Sequence, residues 1–232
     1  IQPIKEIVQL TAGLGILIHT DAVQAVGKVP VSFEALGVDA MTITAHKCHG
    51  PVGIGALITK ADLSPKAIMH GGSQQLAIRP GSETISLAVG FAHAVDAAVR
   101  NQGKISIEMQ RQWDDMESAL LHSDHPPLIA GHQVERLPQT SMLCFTGVDR
   151  QALQMALDRS GVAVSTGSAC ASGSGLPSHV LQAMHLGQAE IQGAIRVSLS
   201  RDTSDHEIQQ AVDAILSCVE RQRKGPSPFV FR

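Results

Sequence analysis

Two stretches decide the fold: Ile16-Leu17-Ile18-His19-Thr20-Asp21 and Ala40-Met41-Thr42-Ile43-Thr44-Ala45-His46-Lys47. Each contains a short apolar run that reads as a buried strand, and each leads directly to an ionisable side chain. Gly55-Ala56-Leu57-Ile58 is a third run of the same kind. Ahead of them, Ile4, Ile7 and Val8 have helical spacing, which Gly13-Leu14-Gly15 breaks. Apolar strands separated by helices or loops predict a sheet covered on both faces, and so an α/β domain.

Downstream the pattern changes. From Ser82 to about Ser123 it is helical, with Leu87, Phe91, Ala94, Val95 and Ala98 on one face. Met109, Trp113, Met116 and Leu120 continue it after an interruption at Asn101-Gln102-Gly103. Pro126-Pro127 ends the region. β-like runs follow at Ser141–Phe145, Val162–Ser165 and Ala194–Leu199, with helical stretches at Arg150–Arg159 and Ser178–Met184 between them. A last helix is predicted from about Ser204 to Arg221, where Thr203 or Ser204 with Glu207 forms a capping box. This half reads as a small α+β domain. The boundary falls in the helical stretch, dividing the chain into residues 1–95 and 96–232.

Composition narrows the function. The chain has 232 residues, 18 Lys and Arg against 21 Asp and Glu, and a net charge of −3. That balance suits a globular protein with room for a core and lacks the basic footprint of a nucleic-acid binder. Aromatic residues are 3%, too few for base-stacking surfaces. No uncharged apolar run is long enough to cross a bilayer, so no membrane partner is expected. Cys48, Cys144, Cys170 and Cys218 are widely spaced, which fits reduced cytoplasmic thiols better than a disulfide framework. The first residue is Ile1, so the chain is expected to be processed or part of something longer.

Asp21 and Lys47 each lie just past a predicted strand, at the sheet edge where α/β proteins bind ligands. A lysine there suits a Schiff base with a cofactor aldehyde, and a nearby carboxylate would keep a pyridine nitrogen protonated. The plainer reading is a surface lysine and a helix-capping aspartate. Thr44 and His46 beside Lys47 suit a phosphate or ring contact, or are ordinary strand-end residues. His46, Cys48 and His49 lack the second half-site that structural zinc needs, so no metal is expected. Cys170 lies in Ser165-Thr166-Gly167-Ser168-Ala169-Cys170-Ala171-Ser172-Gly173-Ser174-Gly175, which has no large side chain. Such a segment is expected to be exposed and mobile, making Cys170 either a nucleophile or an incidental linker cysteine. Arg196, within an apolar strand, faces either solvent or an anion such as a carboxylate. Gly71-Gly72-Ser73-Gln74-Gln75 through Arg79-Pro80-Gly81-Ser82 is a glycine-rich loop before a helix, a weak phosphate signal alone.

Taken together these segments resemble the cysteine desulfurases, pyridoxal-phosphate enzymes of the aminotransferase class V superfamily. His19-Thr20-Asp21-Ala22-Val23-Gln24-Ala25-Val26-Gly27-Lys28 is similar to the family's aspartate–glutamine cofactor motif. Ala45-His46-Lys47-Cys48-His49-Gly50-Pro51-Val52-Gly53-Ile54-Gly55 resembles its Schiff-base lysine motif. Ser165–Ala171 with Leu176-Pro177-Ser178-His179-Val180-Leu181 resembles the long catalytic-cysteine loop, and Ile195-Arg196-Val197-Ser198-Leu199-Ser200 the strand with the substrate arginine. The motifs occur in the family's order over nearly the whole chain.

The resemblance implies a fold-type I pyridoxal-phosphate domain, with a mostly parallel sheet and flanking helices, followed by a small α+β domain. It implies pyridoxal 5'-phosphate held by Lys47, which also shuttles the substrate proton. Asp21 would pair with the ring nitrogen and Gln24 with the phenolic oxygen. Val23 would pack on the ring, and Thr44 and His46 would lie near the phosphate. Cys170 would take sulfur from L-cysteine as a persulfide, and Arg196 would grip the substrate carboxylate. A homodimer partner is implied, with Ser82 reaching its phosphate site, and so is a sulfur-acceptor or iron–sulfur scaffold protein. The glycine loop departs from the family in Ser73 and Gln75, and Ser82 replaces a threonine. The family's upstream phosphate turn, stacking histidine and asparagine have no counterpart, so the chain reads as a C-terminal portion. Selenocysteine lyase or aminotransferase activity, or a cofactor-free fragment, are the competing expectations.

Overall fold

The computed structural model describes residues 1–167 and 177–224. The chain divides into two compact units, Ile1–Ile105 and Ser106–Arg232. In the first, α1 (Ile4–Thr11), β1 (His19–Asp21), α2 (Phe33–Leu36), β2 (Ala40–Thr44) and β3 (Gly55–Thr59) follow in order. The sheet order is β1-β2-β3. β1 runs parallel to β2, with His19 opposite Ala40 and Asp21 opposite Thr42. β3 runs antiparallel to β2, pairing Thr44 with Gly55. The sheet is therefore mixed, because residues 45–54 are too few for the crossover of about a dozen residues that a parallel return needs.

The expected strand over Ile16–His19 starts later than its apolar run. Ile16 and Leu17 are 51% and 68% exposed and precede β1. Pairing begins at Ile18, whose carbonyl accepts from Asp39 and Ala40 N–H and whose N–H donates to the Asp39 carboxylate at 2.7 Å. Before that point there is no β2 residue to pair with.

Strand alternation splits the sheet into two unlike faces. Met41 and Ile43 turn inward onto Ala22, Val26, Val38, Phe91 and Ala98. The other face carries His19, Asp21, Thr42, Thr44 and Leu57, the last 54% exposed. Among the described residues the apolar core lies on the first of these faces.

A long helix, α3 (Ile85–Leu121), supplies Phe91 and Ala98 to this core and Trp113, Met116 and Leu120 to the next. It continues through Asn101-Gln102-Gly103 instead of breaking there. Asn101 Nδ2 donates to the Ala97 carbonyl at 2.7 Å and Gln102 Nε2 to the Lys28 carbonyl at 3.2 Å. These bonds and the buried side chains on either side outweigh the roughly 1 kcal/mol that a helical glycine costs.

The second unit contains the antiparallel sheet β4 (Leu128–Ile129), β5 (Thr140–Cys144) and β6 (Ala194–Ser198), in that order. Helix α4 (Arg150–Arg159) starts at Asp149, whose carboxylate accepts from Ala152 N–H. Two short helices follow, α5 (His179–Ala183) and α6 (Gln188–Gln192). The last helix, α7 (Asp205–Arg223), has the capping box foreseen at Ser204 and Glu207. Leu153, Leu157, Ile208, Val212 and Ile215 from α4 and α7 close over Leu143, Ile195 and Val197 of the sheet. On its opposite face Cys144 and Ala194 meet Leu181 and Ile191. Val162–Val164 do not extend as a strand; only Ser165 joins β6, through an isolated bridge to Arg196.

Among the described residues of this unit, Glu117 and Arg136 form an ion pair with the carboxylate buried. The Glu117 side chain, 5% exposed, accepts from Arg136 at 2.8 and 2.9 Å and from Ser141 Oγ at 2.7 Å. Burial alone would raise its pKa, but the hydrogen bonds from Arg136 and Ser141 and the nearby charges bring it below the usual value. A depressed folded-state pKa stabilises the fold fully above the unfolded carboxylate value, near 4.3, and the contribution is lost as pH falls through the folded value. Arg136→Ala, which strands the carboxylate, is expected to cost about 3–5 kcal/mol in urea unfolding at pH 7. Glu117→Gln should flatten the acid limb of stability against pH.

Candidate active site

The site is assembled by two adjacent strand ends. Parallel pairing puts Asp21, the last residue of β1, beside Thr42, with the Ala22 N–H donating to the Thr42 carbonyl at 3.0 Å. Asp21 is exposed, and its Oδ1 accepts from Val23 N–H at 2.9 Å, a local turn that fixes the carboxylate at the strand end. On the same face His19 Nε2 lies 2.7 Å from Thr42 Oγ1. Val23 is half-buried and Gln24 exposed in the turn after β1.

β2 ends at Thr44, whose hydroxyl donates to the Ile54 carbonyl and lies 3.1 Å from His46 Nδ1. A 3₁₀ turn follows over His46–Cys48, closed by His49 in the left-handed region at φ 61°. Its three-residue period sets Ala45 and Cys48 on the inner side, at 0% and 3% exposure, and leaves His46 and Lys47 outside. Gly50 secures the turn, since a Cβ there would stand 2.7 Å from the Ala94 Cβ on α3. Lys47 has no ion-pair partner among the described residues.

The remaining expectations fall elsewhere. Ser82 is exposed, three positions before α3 begins and outside its first turn. Arg196 is half-buried on β6 in the second unit, opposite Met142 on β5. Its backbone bonds both ways with Ser165, N–H to carbonyl at 2.6 Å and carbonyl to N–H at 3.0 Å. Cys170 and most of its glycine- and serine-rich segment lie outside the described residues. The three described cysteines are buried. Burial pushes the Cys48 thiol up, against the opposing charge of Lys28, and pushes Cys144 up to about 11 with help from Glu190. Both therefore make poor nucleophiles at neutral pH.

Neither His19 nor Lys28 carries a local sequence signal for its role in the fold. The His19 contact depends on register with a strand 23 positions away. Lys28 is 8% exposed, yet nothing local distinguishes it from a solvated loop lysine.

Residues 1–211 match the aminotransferase class-V family, and the chain belongs to that family. Its members are pyridoxal-phosphate enzymes. Among its relatives, a cysteine desulfurase of Cereibacter sphaeroides is 37% identical over 98% of this chain and 58% of its own length. The X-ray structure of a NifS-like protein from Rickettsia africae superimposes with a TM-score of 0.86 at 29% identity, covering 94% of this chain and 57% of that one. A structure of SspA in complex with cysteine gives 0.66 at 27% identity, over 86% and 55%. The chain spans somewhat over half the length of these relatives.

The residues present suit such a cofactor. They are an exposed amine just past β2, a carboxylate at the end of the neighbouring strand, and the hydroxyl and imidazole groups of Thr44 and His46 beside the amine. Incubating the full-length protein with pyridoxal 5'-phosphate and then borohydride should fix a pyridoxyl mass increment on the peptide containing Lys47. Lys47→Ala should lose it, whereas Arg196→Ala should keep it.

Proposed function

We propose that the full-length protein is a cysteine desulfurase, taking sulfur from L-cysteine and releasing L-alanine. The observation that carries this reading is the register of β1 and β2, which puts Asp21 and the Lys47 turn at the ends of neighbouring parallel strands. The relatives' names and the four ordered motifs support it.

Pyridoxal phosphate, when bound, supplies an electron sink for negative charge at the substrate α-carbon. The Lys47 amine would hold it, and would accept and return the substrate α-proton. The Asp21 carboxylate would keep the ring nitrogen protonated. Gln24 would bond the phenolic oxygen, Val23 would pack on the ring, and Thr44 and His46 would lie at the phosphate. Arg196 holds the substrate carboxylate in a charge-assisted fork. The Cys170 thiolate attacks the substrate sulfur: an S–S bond forms, the C–S bond breaks, and the carbon fragment leaves as alanine after protonation.

The persulfide on Cys170 then passes to an acceptor or iron–sulfur scaffold protein in the cytoplasm. The working form is a homodimer in which Ser82 completes the partner's phosphate site. Residues 1–95 belong to the cofactor domain, and residues 96–232 form the small domain carrying Cys170 and Arg196.

In the full-length enzyme, Cys170→Ser should abolish alanine and persulfide production while leaving the absorbance of the bound cofactor in place. Wild-type turnover by this variant would overturn the reading. Arg196→Ala should raise KM for cysteine roughly 10–100-fold, the worth of a charged hydrogen bond. Faster turnover of selenocysteine, or transamination of alanine, would move the protein to another activity of the family.

A further inference from the structure

Lys28 is buried without being part of either core. Its side chain reaches from the segment after β1 to the turn that bears Lys47. There the ammonium donates to the Lys47 backbone carbonyl and, at 3.4 Å, to the Val26 carbonyl. At 8% exposure the residue has given up most of its hydration, which a lysine tolerates only when its charge is well bonded.

Both segments that it joins are seated on the same stripe of α3. Gly27, at φ 77°, approaches so closely that a Cβ would stand 2.7 Å from the Ala98 Cβ. Gly50, just past the Lys47 turn, makes the same approach to Ala94, one helical turn away. Gln102 on α3 donates to the Lys28 carbonyl at 3.2 Å, so the main chain at Lys28 is anchored as well. Cys48 Sγ lies 3.7 Å from the Val26 carbonyl, the second acceptor of the ammonium. The Lys47 turn is thus held from behind by Gly50 and Cys48 and from within by Lys28.

The Lys47 carbonyl belongs to the peptide plane that leaves the Lys47 Cα. Holding it fixes the direction in which that residue's side chain departs from the turn. We propose that Lys28 is a positioning residue for Lys47, setting through the backbone the angle at which the reactive amine is presented. This rests on the role given to Lys47 above. Lys28 itself touches neither substrate nor cofactor in this assignment.

The test uses the full-length enzyme loaded with pyridoxal phosphate, in Lys28→Met and Lys28→Gln forms. Misorienting a catalytic group by about an ångström costs up to roughly 100-fold, so kcat should fall about 10–100-fold in Lys28→Met. KM for cysteine should stay within about twofold, and the bound-cofactor absorbance should be retained. Lys28→Gln, which keeps an N–H donor, should recover part of the loss. The discriminating arm is Lys47→Ala rescued by added methylamine. Adding Lys28→Met to that background should change the rescued rate by less than about twofold, because groups acting in series are not additive.

A merely structural lysine would lower the melting temperature and depress the rescued rate as much as the wild-type rate. That equal loss, or unchanged kcat in a folded Lys28→Met enzyme, overturns the assignment. Failure of both variants to fold overturns it too, since Lys28 would then hold the fold and not the amine. An active wild type with an inactive Lys47→Ala form confirms the underlying role of Lys47. Without that pair of results the reading of Lys47 fails and the inference about Lys28 falls with it, whereas with that pair in hand an equal loss in the rescued rate counts against Lys28 alone.

Discussion

The parallel pairing of β1 with β2 is the constraint on which the rest of the site depends. Three residues of β1 are enough to bring Asp21 level with Thr42, and two further residues of β2 lead to the turn that carries Lys47. Had the register slipped by one, the pleat would have sent Asp21 into the apolar side, against Met41 and Ile43, and Thr20 out to solvent. The buried side resists such a slip: Met41 is 5% exposed and Ile43 9%, and both pack on α3. Cohesion on one face thus sets the chemistry on the other.

The second unit uses a different economy. Its sheet is antiparallel and short, and its core is built from helices whose ends are closed by Asp149 and Ser204. Arg196 lies on the sheet face away from Ile195 and Val197, so the strand can bury its apolar residues and still present a guanidinium. The paired backbone bonds between Arg196 and Ser165 tie the root of the segment leading to Cys170 to the strand that holds this arginine.

Much of this was legible in the sequence, and the reasons differ by element. The capping box at Ser204 and Glu207 is a local pattern, and α4 has a capping aspartate directly before an apolar repeat. Asp21 and Lys47 were legible because both terminate apolar runs. Ile16 and Leu17 misled because an apolar run marks hydrophobicity but not the availability of a pairing partner. Gly103 misled because its helix cost is small against the side chains buried on either side. The buried states of Lys28 and Glu117 were illegible, since their partners lie 19 positions away in sequence. A charged residue looks solvated until the fold brings its counterpart to it.

The cluster of Glu117, Arg136 and Ser141 also constrains how this chain can drift. Exchanging Arg136 alone for an apolar residue strands the Glu117 carboxylate inside, whereas replacing the set together with matched hydrophobes is often neutral or favourable. An all-apolar version is therefore separated from the present one by destabilised intermediates in which one partner of the ion pair is missing. Neutral change can wander over the surrounding surface, but this trio acts as a lock that opens only when its parts are turned at once.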